Sequence, residues 1–319
     1  RPSSKLPDLR IGSVQIGFPV VQAALSGYSD APMRVIARRQ GAAYTLCEVM
    51  LDQFLVAAKP HRRRNSHFLQ IMDEDHPVGG QLMGAEPELF AAGAVRLVVA
   101  GFDVIDFNFG CPVKKVLGRC RGGYHLSQPN VALQIIRATR DVVPQRIPVT
   151  VKMRRGLDDS SASCDQFYQI LEGAFAAGVS AVTVHGRTVQ QRYAGHSNWE
   201  FLRQVKRHVG GQTIRGSGDL FTAPACLQMI SRTGVDGVTV ARGAIGNPWI
   251  FQQARALSAG LPLPAPPTVR QQGKIIREHY RLSEEAHGPR SGPLMRKFGI
   301  KYSALHPESS QVRTAFISV

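Results

Sequence analysis

The sequence predicts a (β/α)8 barrel followed by a small all-helical domain. Three observations carry this reading. First, short apolar or β-branched runs recur at residues 19–24, 43–47, 78–83, 104–109, 147–153, 181–185, 212–215 and 235–241. Polar, helix-compatible stretches separate them, at 31–40, 87–100, 130–142, 164–177, 199–208 and 223–233. Strands that alternate with helices in this way form a parallel sheet, and eight of them read as a closed barrel rather than an open sheet. Second, Gly41, Gly101, Gly178 and Gly234 each stand just ahead of the next strand, where a helix is expected to stop. Third, nearly every strand tip carries a polar or glycine-rich group, the place where barrel enzymes keep their chemistry.

The strand tips read in order as follows. Ala24, Leu25 and Ser26 follow the first strand, and Glu48 the second. Gln81 lies near the end of the third. The fourth, an apolar run through Asp103-Val104-Ile105-Asp106-Phe107, is ended abruptly by Gly110 and Pro112 and leaves Asn108 and Cys111 at its tip. Lys152 and Arg154 end the fifth, and His185, Gly186 and Arg187 the sixth. Ser217, Gly218 and Asp219 follow the seventh, and Ala241, Arg242 and Gly243 the eighth.

After Phe251 the pattern changes. Residues 261–267 form a proline-rich, extended and fairly stiff linker. Helix-like segments follow at 270–287 and 293–305, with no strand pattern. The expected division is a catalytic barrel over 10–251 and a helical domain over 252–319, with a last helix expected beyond residue 319.

Composition narrows the class. With 319 residues, 43% of them hydrophobic, the chain can bury a large core. Cys47, Cys111, Cys120, Cys164 and Cys226 are scattered, with no Cys-x-x-Cys and no histidine at ligand spacing. That argues against a disulfide framework and against a structural zinc; no metal is expected. No apolar run approaches about 18 residues, and no secretory leader is read, so the expected location is cytoplasmic, away from membranes. The formal net charge of +16 points to a polyanionic partner, nucleic acid before membrane, because no basic amphipathic face with bulky apolar residues opposite is found. General solubility charge is the alternative.

Cys111 stands beside Asn108, Lys114 and Lys115. A nearby cation lowers a thiol's pKa or holds an anion next to it, which suits a proton-transferring thiol facing an anionic substrate. A buried free cysteine in a strand-to-loop turn is the other reading of the same residues. The glycine-rich loops after the seventh and eighth strands, as a pair, suggest a phosphorylated ligand. Lys152 suits an anionic ring edge of such a ligand, or else snorkels from the barrel mouth. Arg62, Arg63, Arg64, Lys114, Lys115, Arg154 and Arg187 all follow strands on this one rim. Together they fit an extended phosphodiester backbone, or are solvated loop charges.

The run Asp106-Phe107-Asn108-Phe109-Gly110-Cys111-Pro112-Val113-Lys114-Lys115-Val116 resembles the signature of the tRNA-dihydrouridine synthases, closest to their bacterial B-type branch. Ser29-Asp30-Ala31-Pro32-Met33-Arg34, Val149-Thr150-Val151-Lys152-Met153-Arg154 and Val184-His185-Gly186-Arg187-Thr188 match in order, as do Gly218-Asp219 and Ala241 through Phe251. The resemblance implies a TIM barrel with a C-terminal helical domain, FMN as cofactor, NADPH as reductant and tRNA as substrate. No obligate protein partner is inferred. It implies hydride delivery from reduced flavin to C6 of an extruded uridine and protonation of C5 by Cys111. Asn108 would hold the uracil edge. Lys152 and His185 would position flavin and base. Ala24, Leu25, Ser26, Gln81, Ser217, Gly218, Asp219, Ala241 and Arg242 would contact the flavin. Arg154, Arg187, Lys114, Lys115 and Arg62–Arg64 would contact the RNA.

The chain departs from the family at several of these positions. Ala23-Ala24-Leu25 stands where the family has Ala-Pro-Met, Ser217 where it has Asn, and Ala241 where it has Gly. Arg215 is an unusual charge on a strand. If the family glycine serves a positive φ or a close phosphate, the Ala241 methyl would obstruct the flavin. Two alternatives to a tRNA-dihydrouridine synthase therefore stay open here. One is a small-molecule flavin oxidoreductase of dihydroorotate type, against which the basic rim and the helical appendage speak. The other is an RNA-binding barrel with weakened or lost flavin binding.

Overall fold

The computed structural model describes residues 6–57 and 66–319, and Arg62, Arg63 and Arg64 lie outside the described residues. The chain opens with an antiparallel hairpin, β1 (Leu9–Ile11) and β2 (Val14–Gly17). The barrel strands follow as β3 (Val20–Gln22), β4 (Thr45–Leu46), β6 (Val78–Met83), β7 (Val104–Phe109), β8 (Val149–Arg154), β9 (Ala181–His185), β10 (Ile214–Ser217) and β11 (Gly237–Val240). Each pairs in parallel with the next, β4 passing directly to β6, and β11 pairs with β3 to close the ring. A short β5 (Met50–Leu51) lies against the end of β6. The fold is therefore the expected (β/α)8 TIM barrel.

The barrel helices are α1 (Ala31–Arg39), α2 (Asp52–Ala57), α3 (Pro87–Ala100), a single turn α4 (Lys114–Leu117), α5 (Pro129–Val142), α6 (Ser161–Ala176), α7 (Trp199–Val209), α8 (Ala223–Thr233) and α9 (Trp249–Ser258). Side-chain caps fix several of their starts. Asp30, Ser160, Asn198 and Thr222 each accept the backbone N–H three residues on, satisfying a donor the helix leaves orphaned. Proline in the first turn of α1, α3, α5 and α8 loses no hydrogen bond there.

Strand pleating sorts side chains between two environments. On β7, Ile105, Phe107 and Phe109 join the core under the helices, where Phe107 meets Phe90 of α3 edge-on with ring centroids 4.7 Å apart. Val104, Asp106 and Asn108 alternate with them and point into the barrel. The hairpin plugs the end at which the strands begin. Leu9, Ile11 and Ile16 bury against Val21, Tyr44, Leu46, Val104 and Ala181, residues of four strands or their approaches. Apolar side chains thus seal one end of the barrel and leave the other for polar groups.

Helix α9 buries Trp249, Ile250, Phe251 and Ala254 and packs against α8 and β3. It runs through the boundary expected at 251, so the barrel's last helix ends at Ser258. Residues 261–267 have no regular structure. Then come α10 (Val269–His287), α11 (Ser291–Tyr302) and α12 (Ser309–Ser318). The helical unit is tied to the barrel by a buried contact of His287 Nε2 with Asp30 Oδ2 at 2.8 Å, by Tyr28 edge-on to Phe298 at 5.4 Å, and by Lys297 Nζ donating to the carbonyl of Gly27. Among the described residues no helix is long and apolar enough to cross a membrane.

The two parts also meet main chain to main chain. Gly246, in the loop after β11, has φ +72, and a Cβ there would lie 2.6 Å from Tyr302 N on α11. Gly246→Ala should therefore destabilise the protein by about 2–4 kcal/mol, from overpacking plus left-handed strain. Denaturant unfolding measures this, and an unchanged midpoint would show that the two backbones separate freely.

Candidate active site

A cavity of about 330 Å³ opens at the C-terminal ends of the barrel strands. Ala24, Leu25 and Ser26 line it from the loop after β3, Asn108 and Cys111 from β7 and its tip, Lys152 and Arg154 from β8, and His185 from β9. Ser217, Gly218 and Asp219 line it from β10 and its loop, and Ala241 and Arg242 from the loop after β11. Strand tips that are distant in sequence thus converge as the barrel requires.

Asn108 and Cys111 are joined through the main chain. Asn108 Oδ1 accepts the N–H groups of Gly110 and Cys111 at 3.1 and 3.0 Å. Asn108 Nδ2 donates to Gln81 Oε1 at 2.9 Å. The Asn108 carbonyl is therefore spent on the loop, and one amide N–H remains for a ligand. Gln81 is 1% exposed and donates through Nε2 to Asp106 Oδ2 at 2.7 Å. It does not line the cavity. Gln81 thus braces Asn108 from behind the cavity wall.

Lys152 points into the barrel mouth without a hydrogen-bond partner among the described residues. Burial, then the neighbouring Arg154 charge, pushes its amine down to about 8, while Asp106 and Cys111 pull the other way. His185 is pushed from its ordinary range to about 2 by burial and by Lys152, Arg154, Arg187 and Arg242. Its ring is neutral at physiological pH. Because Nδ1 accepts the N–H of Arg187 at 3.1 Å, the ring proton resides on Nε2.

The two arginines expected on the RNA-facing rim are buried. Arg154 is 4% exposed and donates to the carbonyls of Gly110, Thr188 and Arg192 at 3.0, 2.8 and 2.7 Å. It ties the loop after β7 to the loop after β9. Arg187 is 3% exposed and pairs with both oxygens of Asp219, at 2.8 and 3.0 Å. Asp219 also accepts the N–H of Ser197. A guanidinium offers five donors in a fixed plane, which suits it to several loop carbonyls or a carboxylate at once. Lys114 and Lys115 are exposed on α4, which follows Cys111 closely.

The glycine-rich loops have a structural reason besides any ligand. A Cβ on Gly243 would collide with the carbonyl oxygen of Leu220, so the loops after β10 and β11 meet there through bare backbone. Ala241 has φ −101. Its φ is negative, so it needs no left-handed backbone.

Several lining residues escaped the reading of the sequence. Tyr193 and Phe221, 57% and 48% exposed, hold the Arg242 guanidinium between their rings at 4.6 and 5.2 Å. Aromatics in otherwise polar loops after the sixth and seventh strands were the available signal. Thr239 lines the cavity with a buried hydroxyl that has no partner among the described residues. Among the described residues no group of three His, Cys, Asp or Glu side chains could hold a metal ion. The available groups around the cavity are mainly donors: Lys152 Nζ, His185 Nε2–H, one Asn108 N–H and Arg242, with the hydroxyls of Thr239 and Ser217. They fit an acceptor-rich, anionic ligand.

Comparison with known proteins agrees with this geometry. The family model described as dihydrouridine synthase matches residues 21–318. Proteins named probable tRNA-dihydrouridine synthase are similar throughout. That of Rickettsia typhi is 35% identical over 96% of this chain and 92% of its own. That of Mycobacterium tuberculosis is 34% identical over 98% of this chain and 82% of its own. Among solved structures, histamine dehydrogenase from a Rhizobium species superposes with TM-score 0.63 at 12% identity, over 80% of this chain and 48% of that one. Morphinone reductase in complex with tetrahydroNAD superposes with TM-score 0.57 at 13% identity, over 82% and 93%. These structural likenesses speak to the barrel alone. The match along nearly the whole chain, in sequence as well as in fold, shows that it belongs to the dihydrouridine synthase family.

Proposed function

We propose that the protein reduces uridine to 5,6-dihydrouridine in tRNA, with FMN as its flavin and NADPH as the reductant. The carrying observation is the Cys111 thiol in one cavity with Lys152 and His185, a proton donor beside a set of hydrogen-bond donors. FMN, when bound, supplies the hydride that C6 of the uracil receives. The rest falls to the chain. Lys152 Nζ and the Thr239 and Ser217 hydroxyls hold the acceptor-rich ring edge and ribityl chain, and Arg242 the phosphate. The uridine must leave its stack to enter, since its C5–C6 bond is inaccessible within a helix. The free N–H of Asn108 and His185 Nε2–H donate to the uracil. Cys111 gives its Sγ proton to C5, and the thiolate takes a proton back from water.

The outer surface suits a phosphodiester chain. Lys114 and Lys115 stand exposed near Cys111. On α10, Arg270, Lys274, Arg277 and Arg281 are all exposed and fall at helical spacing on one face. Backbone contacts of this kind fix orientation and make binding salt-dependent.

Three outcomes test this. Cys111→Ala should keep flavin and tRNA binding and lose about 10²–10⁴-fold in dihydrouridine formation. Single-turnover oxidation of the reduced enzyme by tRNA reads it, and a near-normal rate would remove Cys111 from the chemistry. Lys114→Ala with Lys115→Ala should flatten the salt dependence of tRNA affinity by about 0.7–0.9 in slope for each phosphate no longer neutralised. An unchanged slope in filter binding would show that these lysines only solvate a loop. Because Ala241 sits at negative φ, Ala241→Gly should not tighten FMN, and should cost about 0.4–1 kcal/mol of stability through the unfolded chain. Flavin fluorescence quenching that reports clearly tighter binding would restore the view that the methyl obstructs the phosphate.

A further inference from the structure

Beneath the cavity floor two charges face each other. Arg215 of β10 brings Nη2 to 3.7 Å from Asp106 Oδ1 of β7, and the two side chains are 0% and 1% exposed. Neither lines the cavity. Among the described residues, none of the three guanidinium nitrogens of Arg215 finds a hydrogen-bond partner. Besides Asp106 the guanidinium meets the Tyr44 ring, 5.8 Å from its centroid. Asp106 accepts on both oxygens, from Gln81 Nε2 at 2.7 Å and from the Thr150 hydroxyl.

This pair sets a direction. A carboxylate accepts and does not donate. Facing Asp106, Gln81 must turn its NH2 toward the barrel interior and its oxygen toward the cavity. That oxygen can only accept, so Asn108 must present its NH2 to it. Asn108 is left with its carbonyl toward the N–H groups of Gly110 and Cys111. With either amide reversed, NH2 would face N–H or oxygen would face oxygen. The orientation of both amides thus follows from the group at position 106.

We infer that Asp106, faced by Arg215, is a positioning residue that fixes the orientation of Gln81 and Asn108 and through them the main chain carrying Cys111. Its effect on activity rests on the reading of Cys111 as proton donor, but its effect on the thiol does not. The Arg215 found unusual in the sequence then has a role: it supplies a counter-charge 3.7 Å from the buried Asp106 carboxylate, which Lys152 also faces from the cavity side.

The test uses the double variant Asp106→Asn/Arg215→Met, which removes both charges of the pair together, and Gln81→Met, which cuts the chain without touching either charge or the neighbouring Lys152. Alkylation of Cys111 by iodoacetamide is followed against pH in the protein without tRNA, the site being identified by peptide mass. Both variants should shift the Cys111 profile. Thr150→Val, which removes an equally buried hydrogen bond to Asp106 but leaves the amides directed, should not. Single-turnover uridine reduction should fall by up to about 10²-fold in the first two variants at unchanged tRNA affinity, the cost of a slightly misplaced reacting group. Wild-type alkylation profiles in both variants overturn the inference, as does an equal shift in Thr150→Val. A shifted profile with normal uridine reduction upholds the positioning and counts against Cys111 as proton donor.

Discussion

A parallel barrel of eight strands has no water-filled lumen, and pleating sends every second side chain into it. Polar groups placed there must be satisfied by one another or by a ligand, because an unpaired buried group costs about 1–3 kcal/mol. This constraint organises the molecule. At the end sealed by the hairpin the inward residues are apolar: Val21, Leu46, Val104 and Ala181. One layer up they are polar and answer one another, as Asp106 does with Thr150, Gln81 and Arg215. At the open end Lys152 and Thr239 have no hydrogen-bond partner among the described residues. The gradient from apolar seal to paired charges to open donors leads to the cavity.

The arginines obey the same constraint. Loops after strands carry carbonyls that no ladder satisfies, and a cleft built from several such loops has many. Arg154 and Arg187 meet that need and knit the loops into a rigid rim. Lys114 and Lys115, single charges on flexible stems, remain in solvent. A charge count along the chain treats all four alike. The distinction depends on which carbonyls the fold brings near, and that is a tertiary fact.

The same division separates what was legible in the sequence from what was not. The strands over 78–83, 104–109 and 181–185 were readable to the residue because apolar runs ended in glycine, proline or a polar tip. The convergence of Asn108, Cys111, Lys152, His185 and Asp219 followed from the barrel. The hairpin was missed because strands of three and four residues leave no periodic signal. Helix α12 was missed because it buries no residue and so shows no apolar stripe. Gln81 falls near the end of its strand as read, but its bonds to Asp106 and Asn108 depend on neighbouring strands and carry no signal in the sequence. Of the two reasons for a glycine at position 241, a positive φ and a close phosphate, the loop does not use the first.

The charges around the cavity do not balance, and the imbalance has a meaning. Arg187 is neutralised by Asp219 and Arg215 faces Asp106. Lys152, Arg154 and Arg242 have no carboxylate partner among the described residues. Arg154 is satisfied by carbonyls and Arg242 lies between two rings, so their hydrogen bonding or packing is met while their charge is not. His185 responds by staying neutral, and Lys152 by an amine pushed down to about 8. Uncompensated positive charge in a poorly solvated cleft is costly unless an anion enters. A ligand bearing a phosphate and an acceptor-rich ring would lower that cost at both ends of the site. It would also raise the proton affinity of Lys152, holding it cationic at neutral pH. The protein by itself is thus electrostatically incomplete, in the sense that suits a tightly held anionic cofactor followed by a polyanionic substrate.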